Sequence, residues 1–179
     1  LKSYTEKTKE WMPVLESLSN QTAEEEARKT VERITGFSVI KLHRFSKIDW
    51  LICGNSLNQT TLYREPFGVA YGEFKGRKQH ESFFKQNGFL ISMDKWEALH
   101  TASDSSHLPF FLFVKTNGQD GPLYASMFNR ESIPDKVVFG GRRDRGLETD
   151  LQPQAVLNWD RFIQFDSDGY QEILSGQNR

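Results

Sequence analysis

Residues 69–77 read Val-Ala-Tyr-Gly-Glu-Phe-Lys-Gly-Arg. They belong to a longer run, Phe67 to Lys75, with a period of two that predicts a strand. Phe67, Val69, Tyr71, Glu73 and Lys75 point one way, and Gly68, Ala70, Gly72 and Phe74 point the other. Small residues on the second face suit the close approach of another element. Glu73 and Lys75 then project together from one face, an acid beside an amine.

The preceding segments set the order of elements. Thr22 followed by Glu25 predicts a capping box. Ala23, Ala27, Val31 and Ile34 then form one apolar stripe, and Gly36 closes a helix over 23–35. The period changes to two after Gly36, which predicts a strand over 37–44. Lys47 to Cys53 (KIDWLIC) predicts a second strand with one acid, Asp49, inside an apolar run. Residues 54–66 are turn-rich and read as a loop. Upstream, Trp11, Met12, Leu15 and Leu18 suggest a helical leader over 1–20.

Downstream, 77–88 fits either a short helix or a loop. Trp96 and Leu99 predict a helix over 94–102. Phe110 to Lys115 (FFLFVK) reads as a buried strand, and turn signals at 117–118 and 120–121 lead to a partner strand over 123–128. Gly140 to Gly146 (GGRRDRG) reads as a loop, and 154–165 as a short strand or helix. The fold class expected is α/β: a central mixed sheet of about five strands flanked by helices, in the order α-β-β-β-α-β. One domain is expected over 1–179, with its core at about 22–130 and a C-terminal extension over 131–179 packing on it.

Composition excludes several classes. With 179 residues, 37% hydrophobic and 26% charged, the chain has a globular balance. The single cysteine, Cys53, excludes an internal disulfide and a cysteine-based zinc site. No apolar stretch is long enough to span a membrane, so no membrane partner is expected. No charged-then-apolar leader opens the chain, so the sequons at Asn20 and Asn58 carry no weight and a cytoplasmic location is expected. A start at Leu1 instead of Met fits a fragment or a processed product. There is no glycine-rich phosphate motif, so no nucleotide cofactor is expected. Asp166-Ser-Asp168-Gly169 lacks the closing glutamate of a calcium loop.

The formal charge is only −1, but it is uneven. Arg28, Lys29, Arg33, Lys41, Arg44 and Lys47 stand against Glu32 alone between Arg28 and Lys47. Such a basic segment could meet a polyanion while the total stays near zero.

If the strand of Asp49 pairs beside that of Glu73, two carboxylates and an ammonium converge. Neighbouring carboxylates repel unless a cation sits between them. Mg²⁺ accepts one or two carboxylates and fills its other sites with water or phosphate oxygens. A metal can acidify a bound water and polarise a phosphate, and a lysine can orient that water or neutralise developing charge. This is equipment for metal-assisted phosphodiester hydrolysis.

The set of Glu25 in TAEEEARKTVERITGF, Asp49 in SKIDWLI, and Glu73 with Lys75 in VAYGEFKGR resembles the PD-(D/E)xK nuclease superfamily, in particular its Holliday-junction-resolvase-like branch. The resemblance covers about residues 22–115. The first motif reads Lys47-Ile48-Asp49, without the proline that names the family. The resemblance implies a restriction-endonuclease-like core with Glu25, Asp49, Glu73 and Lys75 as catalytic residues. Asp49, Glu73, Glu25 and the backbone carbonyl of Phe74 would bind the metal, Mg²⁺ with Mn²⁺ as a substitute. Glu24 and Glu26 compete with Glu25 for the helix position. Lys47, Arg77, Lys78, Gln79, Lys95, Arg142 and Arg143 are the candidates for contact with nucleic acid; Arg145 stands in the same glycine-rich stretch.

The implied activity is a metal-dependent DNA endonuclease acting on duplex or branched DNA, working as a homodimer with two sites. The implied origin is phage or prokaryotic. The competing reading is a non-catalytic nucleic-acid-binding or protein-interaction module that retains the fold. A third keeps the metal and acts on RNA or a single strand.

Overall fold

A computed structural model describes residues 18–43, 46–57, 64–118, 120–141 and 151–176. Its frame is a six-stranded mixed sheet flanked by helices, an α/β arrangement consistent with a restriction-endonuclease-like fold.

The chain enters through helix α1 (Leu18–Thr35). Ala23, Ala27 and Val31 are buried along it, as the stripe predicts. Thr22 lies inside the helix and not at its cap, because the helix begins at Leu18; the capping-box reading fails for that reason. Gly36 ends the helix with a φ of +73°, and its N–H donates to the Glu32 carbonyl at 2.9 Å. An L side chain is disfavoured there, so the glycine fits the left-handed exit.

Three antiparallel strands follow: β1 (Ser38–Lys41), β2 (Trp50–Leu57) and β3 (Arg64–Gly76). Asp49 sits just ahead of β2 and not inside a strand over 47–53. Of the expected loop over 54–66, residues 54–57 and 64–66 are instead paired strand, and 58–63 lie outside the described residues. β1 is shorter than the predicted 37–44. The β2–β3 register slips between Ile52 and Cys53, where Val69 is the extra residue on β3. The bulge interrupts the alternation there: Val69 packs with Ala70 on one face, and Tyr71 lies on the other.

Helix α2 (Glu81–Asn87), strand β4 (Phe89–Ser92) and helix α3 (Met93–Ser106) then cross over to β5 (Phe110–Lys115), which lies parallel to β3. A parallel neighbour requires such a crossover. Strand β6 (Leu123–Phe128) pairs antiparallel with β5. Strands β7 (Lys136–Gly141) and β8 (Leu151–Leu157) join β4 in a second, three-stranded sheet. A 3₁₀ turn (Trp159–Arg161), the short edge strand β9 (Ile163–Gln164) and helix α4 (Ser167–Ser175) complete the described chain. Among the described residues the central sheet has six strands, close to the five or so expected, with β9 as its added edge. The second sheet of three strands is not foreseen from the sequence, and its β4–β8 pairing joins segments far apart in the chain. Residues 1–17, most of the expected leader, and 142–150, with Arg142, Arg143 and Arg145, lie outside the described residues.

The main sheet has an apolar core on each face. On the first, Trp50, Phe74, Phe111 and Phe113 pack under α1 and α4. On the second, Phe110, Leu112 and Val114 pack under α3 and the small sheet, with Trp96, Leu99, Phe89 and Trp159. FFLFVK is therefore buried on both faces, as a central strand must be. Gly72 lets Trp50 cross β3: a Cβ at that position would meet the indole Cε3 at 3.1 Å and the Trp50 Cβ at 3.2 Å.

Candidate active site

Trp50 and Gly72 are partners across the β2–β3 ladder, so the residue before Trp50 lies opposite Glu73. Directly opposed residues share a face. Asp49 and Glu73 accordingly meet on the second face of the sheet, at the end of β3. The Phe74 N–H donates to Asp49 Oδ2 at 3.1 Å and the Leu42 N–H donates to the Asp49 carbonyl at 2.8 Å, which fixes the turn into β2.

Glu73 is 0% exposed. Lys75, two residues on, places its Nζ 2.5 Å from Glu73 Oε1. Lys95, in the first turn of α3, reaches both acids. Its Nζ donates to Asp49 Oδ1 at 3.1 Å and to Glu73 Oε2 at 3.0 Å. Trp96, the next residue, anchors this turn, edge-on to Phe110 and Phe128 at 5.5 Å and 5.3 Å.

The two acids are driven apart electrostatically. Burial pushes Glu73 above its ordinary value; Lys75 opposes this, Asp49 adds to it, and Lys95 opposes it without reversing the outcome. Burial also acts to raise Asp49, but Lys75 and Lys95, with the Lys95 and Phe74 hydrogen bonds, outweigh it and hold that carboxyl low. Burial acts to lower Lys95, and the two carboxylates more than compensate, so its ammonium is held charged.

The resemblance implies that Glu25 joins this cluster, but the structure does not bring it there. Helix α1 packs on the first face of the sheet, whereas Glu73 projects from the second. Glu25 is 44% exposed and forms ion pairs with Arg28 at 2.7 Å and Lys29 at 3.6 Å. The buried member of the Glu24–Glu26 run is Glu24, which accepts from Trp50 Nε1 at 2.8 Å and pairs with Lys41 at 2.5 Å. Among the described residues no third acid, histidine or cysteine joins Asp49 and Glu73 in a metal-sized group.

These pairs also thin out the basic segment. Glu24 and Glu25 lie just outside the stretch counted from Arg28, and they engage Lys41, Arg28 and Lys29. The charge excess over 28–47 is thus smaller in space than in sequence.

The candidates for nucleic-acid contact divide. Lys95 enters the cluster. Arg77 lies 5.4 Å from the centre of the Phe89 ring and donates to the Leu90 carbonyl at 3.3 Å, which ties it to β4. Lys78 and Gln79 are exposed in the turn after β3, where the Gln79 carbonyl accepts from Asn117 at 2.9 Å. Lys47 is exposed ahead of Asp49. The bridging role of Lys95 was not readable from spacing: only its place at a helix start beside an apolar anchor pointed to it.

Asp49 and Glu73 are hard oxygen donors drawn onto one cation, the donor set that Mg²⁺ accepts alongside water and phosphate. The Phe74 N–H faces Asp49, and a strand residue's N–H and C=O leave on the same side. Its carbonyl therefore faces the same edge. The residues present fit a small divalent ion with two carboxylates and one carbonyl, without Glu25.

A family model described as "Phage putative PDDEXK endonuclease" matches residues 10–165 of the chain. No curated protein and no solved structure matches it. Among the described residues, no helix is long and apolar enough to cross a membrane.

Proposed function

The chain belongs to the family described as "Phage putative PDDEXK endonuclease", and from that membership we propose that it hydrolyses DNA phosphodiester bonds at Asp49, Glu73 and Lys75 with a divalent metal, Mg²⁺ or Mn²⁺. The observation that carries the reading is the convergence of two carboxylates on a single ammonium within 3.1 Å, with a second lysine 2.5 Å from the buried one.

Asp49 and Glu73 would hold the cation, with the Phe74 carbonyl as a third oxygen. When bound there, a divalent ion supplies Lewis acidity toward the phosphate and a more acidic water. Asp49, held low by its lysines, is ionised at neutral pH, the state in which a carboxylate binds a metal. Lys75 stands where an ammonium can orient the attacking water or neutralise charge gathering on the phosphate oxygens. The fixed β2–β3 register keeps these groups in place before substrate arrives. Lys47, Lys78 and Gln79 are exposed and near in sequence to the site strands, and would contact the DNA backbone.

Selectivity for branched DNA, two sites in a homodimer and the Holliday-junction-resolvase-like branch rest on the resemblance of the motifs. A phage-infected or prokaryotic cytoplasm is the setting that this reading implies. The single-domain organisation, with 131–179 as an extension, is supported by β9 lying against β6 and by Ile173 of α4 joining the core under α1.

The test is cleavage of duplex and four-way-junction DNA by the parent, Glu73→Gln and Lys75→Met, with Mg²⁺, Mn²⁺ or EDTA. Cleavage by the parent with metal alone, reduced at least a hundredfold in both variants, is expected. Equal cutting by parent and variants would overturn the site assignment. Salt-sensitive binding without cleavage, indifferent to metal and to Glu73, would favour the binding-module reading.

A further inference from the structure

Lys95 occupies the position that the metal would need. Its ammonium contacts one oxygen of each carboxylate, Asp49 Oδ1 at 3.1 Å and Glu73 Oε2 at 3.0 Å, so it bridges the two acids as a cation would. With Lys75 beside Glu73, the cluster holds two acids and two lysines, so its formal charge sums to zero. A divalent ion entering this arrangement gains no net attraction and must compete for oxygens already engaged.

Two further features make Lys95 a removable occupant. It is the third residue of α3, a 14-residue helix, and a cation at a helix N-terminus is repelled by the helix dipole. Among the described residues, the two acids are the groups that pair with it there. Its side chain is also 25% exposed, so the flexible stem has a route to solvent, whereas Glu73 has none.

We infer that Lys95 is a placeholder: it seats its ammonium between Asp49 and Glu73 in the metal-free protein and must withdraw for a divalent cation to bind. This rests on the metal-site reading above and extends it. Metal affinity is consequently low in the resting protein. An arriving phosphate, an anion that can accept the displaced ammonium, favours loading. Lys95 is a positioning residue in this account, and its removal acts on metal occupancy.

Mn²⁺ affinity without DNA tests the inference, read by isothermal titration calorimetry and by electron paramagnetic resonance of free Mn²⁺. Lys95→Met is expected to bind Mn²⁺ at least tenfold more tightly than the parent, and Lys75→Met to gain clearly less, because Lys75 is ion-paired with Glu73 and reaches Asp49 through its charge alone, without sitting between the acids. Lys95→Gln, which keeps a hydrogen-bond donor between the acids, carries the test if Lys95→Met does not fold. Equal affinity in the parent and the Lys95 variants would overturn the placeholder role and leave the metal site standing. An equal gain in Lys75→Met would also overturn it, since charge alone would then suffice. Mn²⁺ binding by none of these proteins would overturn both the placeholder and the metal-site reading.

Discussion

Trp50 donates its indole N–H to Glu24 across 2.8 Å, and both residues are buried on the face of the sheet opposite Glu73. The bond ties α1 to the start of β2, one residue from Asp49. It assigns the buried helix acid to the scaffold and leaves two acids for the chemistry.

Removing that acid orphans a buried donor. Glu24→Ala is expected to cost about 1–3 kcal/mol of stability, measured by urea denaturation. Glu25→Ala breaks the partly exposed pairs with Arg28 and Lys29 and is expected to cost about 1 kcal/mol or less. Cleavage by the folded fraction should survive both changes. A hundredfold loss in Glu25→Ala would restore Glu25 to the site.

Gly72 is held by its neighbour. A Cβ would meet Trp50 at 3.1 Å, so the indole must move by a few tenths of an ångström. Gly72→Ala is expected to cost about 1–3 kcal/mol through overpacking. Trp50 fluorescence should shift with it, because the ring is stacked on Phe74 at 5.7 Å. An unchanged denaturation midpoint would show that Trp50 yields freely.

Glu73 should trade stability for function. Its folded pKa lies above the ordinary value, chiefly through burial, so its ionisation disfavours the folded state. That cost is absent below the ordinary carboxylate range and grows as pH rises through the raised pKa. Glu73→Gln is therefore expected to raise the melting temperature of the metal-free protein at pH 8 and to match the parent at pH 4. Asp49 has the opposite sign: its stabilising contribution is present above the unfolded-state value and is lost as pH falls through the depressed one. Asp49→Asn should destabilise at pH 7, with the gap closing in acid. The same sign in both variants would contradict the assigned environments.

Trp96 anchors the turn that carries Lys95. Trp96→Ala removes a buried ring packed against Phe110 and Phe128 and is expected to cost about 3–5 kcal/mol. Trp96→Phe retains much of that packing and should cost less. The order of the two midpoints in guanidinium checks it.

What the sequence by itself determined is what local periodicity can encode. The stripe Ala23, Ala27, Val31 specified a helix face, and alternation through Tyr71, Glu73 and Lys75 placed an acid and an amine on one side of a strand. Both depend on residues a few positions apart, where backbone geometry fixes side-chain direction. Pairing between distant segments carries no such signal. β4 meets β8 across some sixty residues, and neither Phe89–Ser92 nor Leu151–Leu157 announces the other. Glu24, Glu25 and Glu26 look alike in sequence; only the packing of α1 against Trp50 buries one and exposes its neighbour. Lys95 shares no motif with Asp49 or Glu73 either. Tertiary folding alone brought it between them, because α3 docks its apolar side against β5 and thereby points one long, charged side chain at two acids that need a cation.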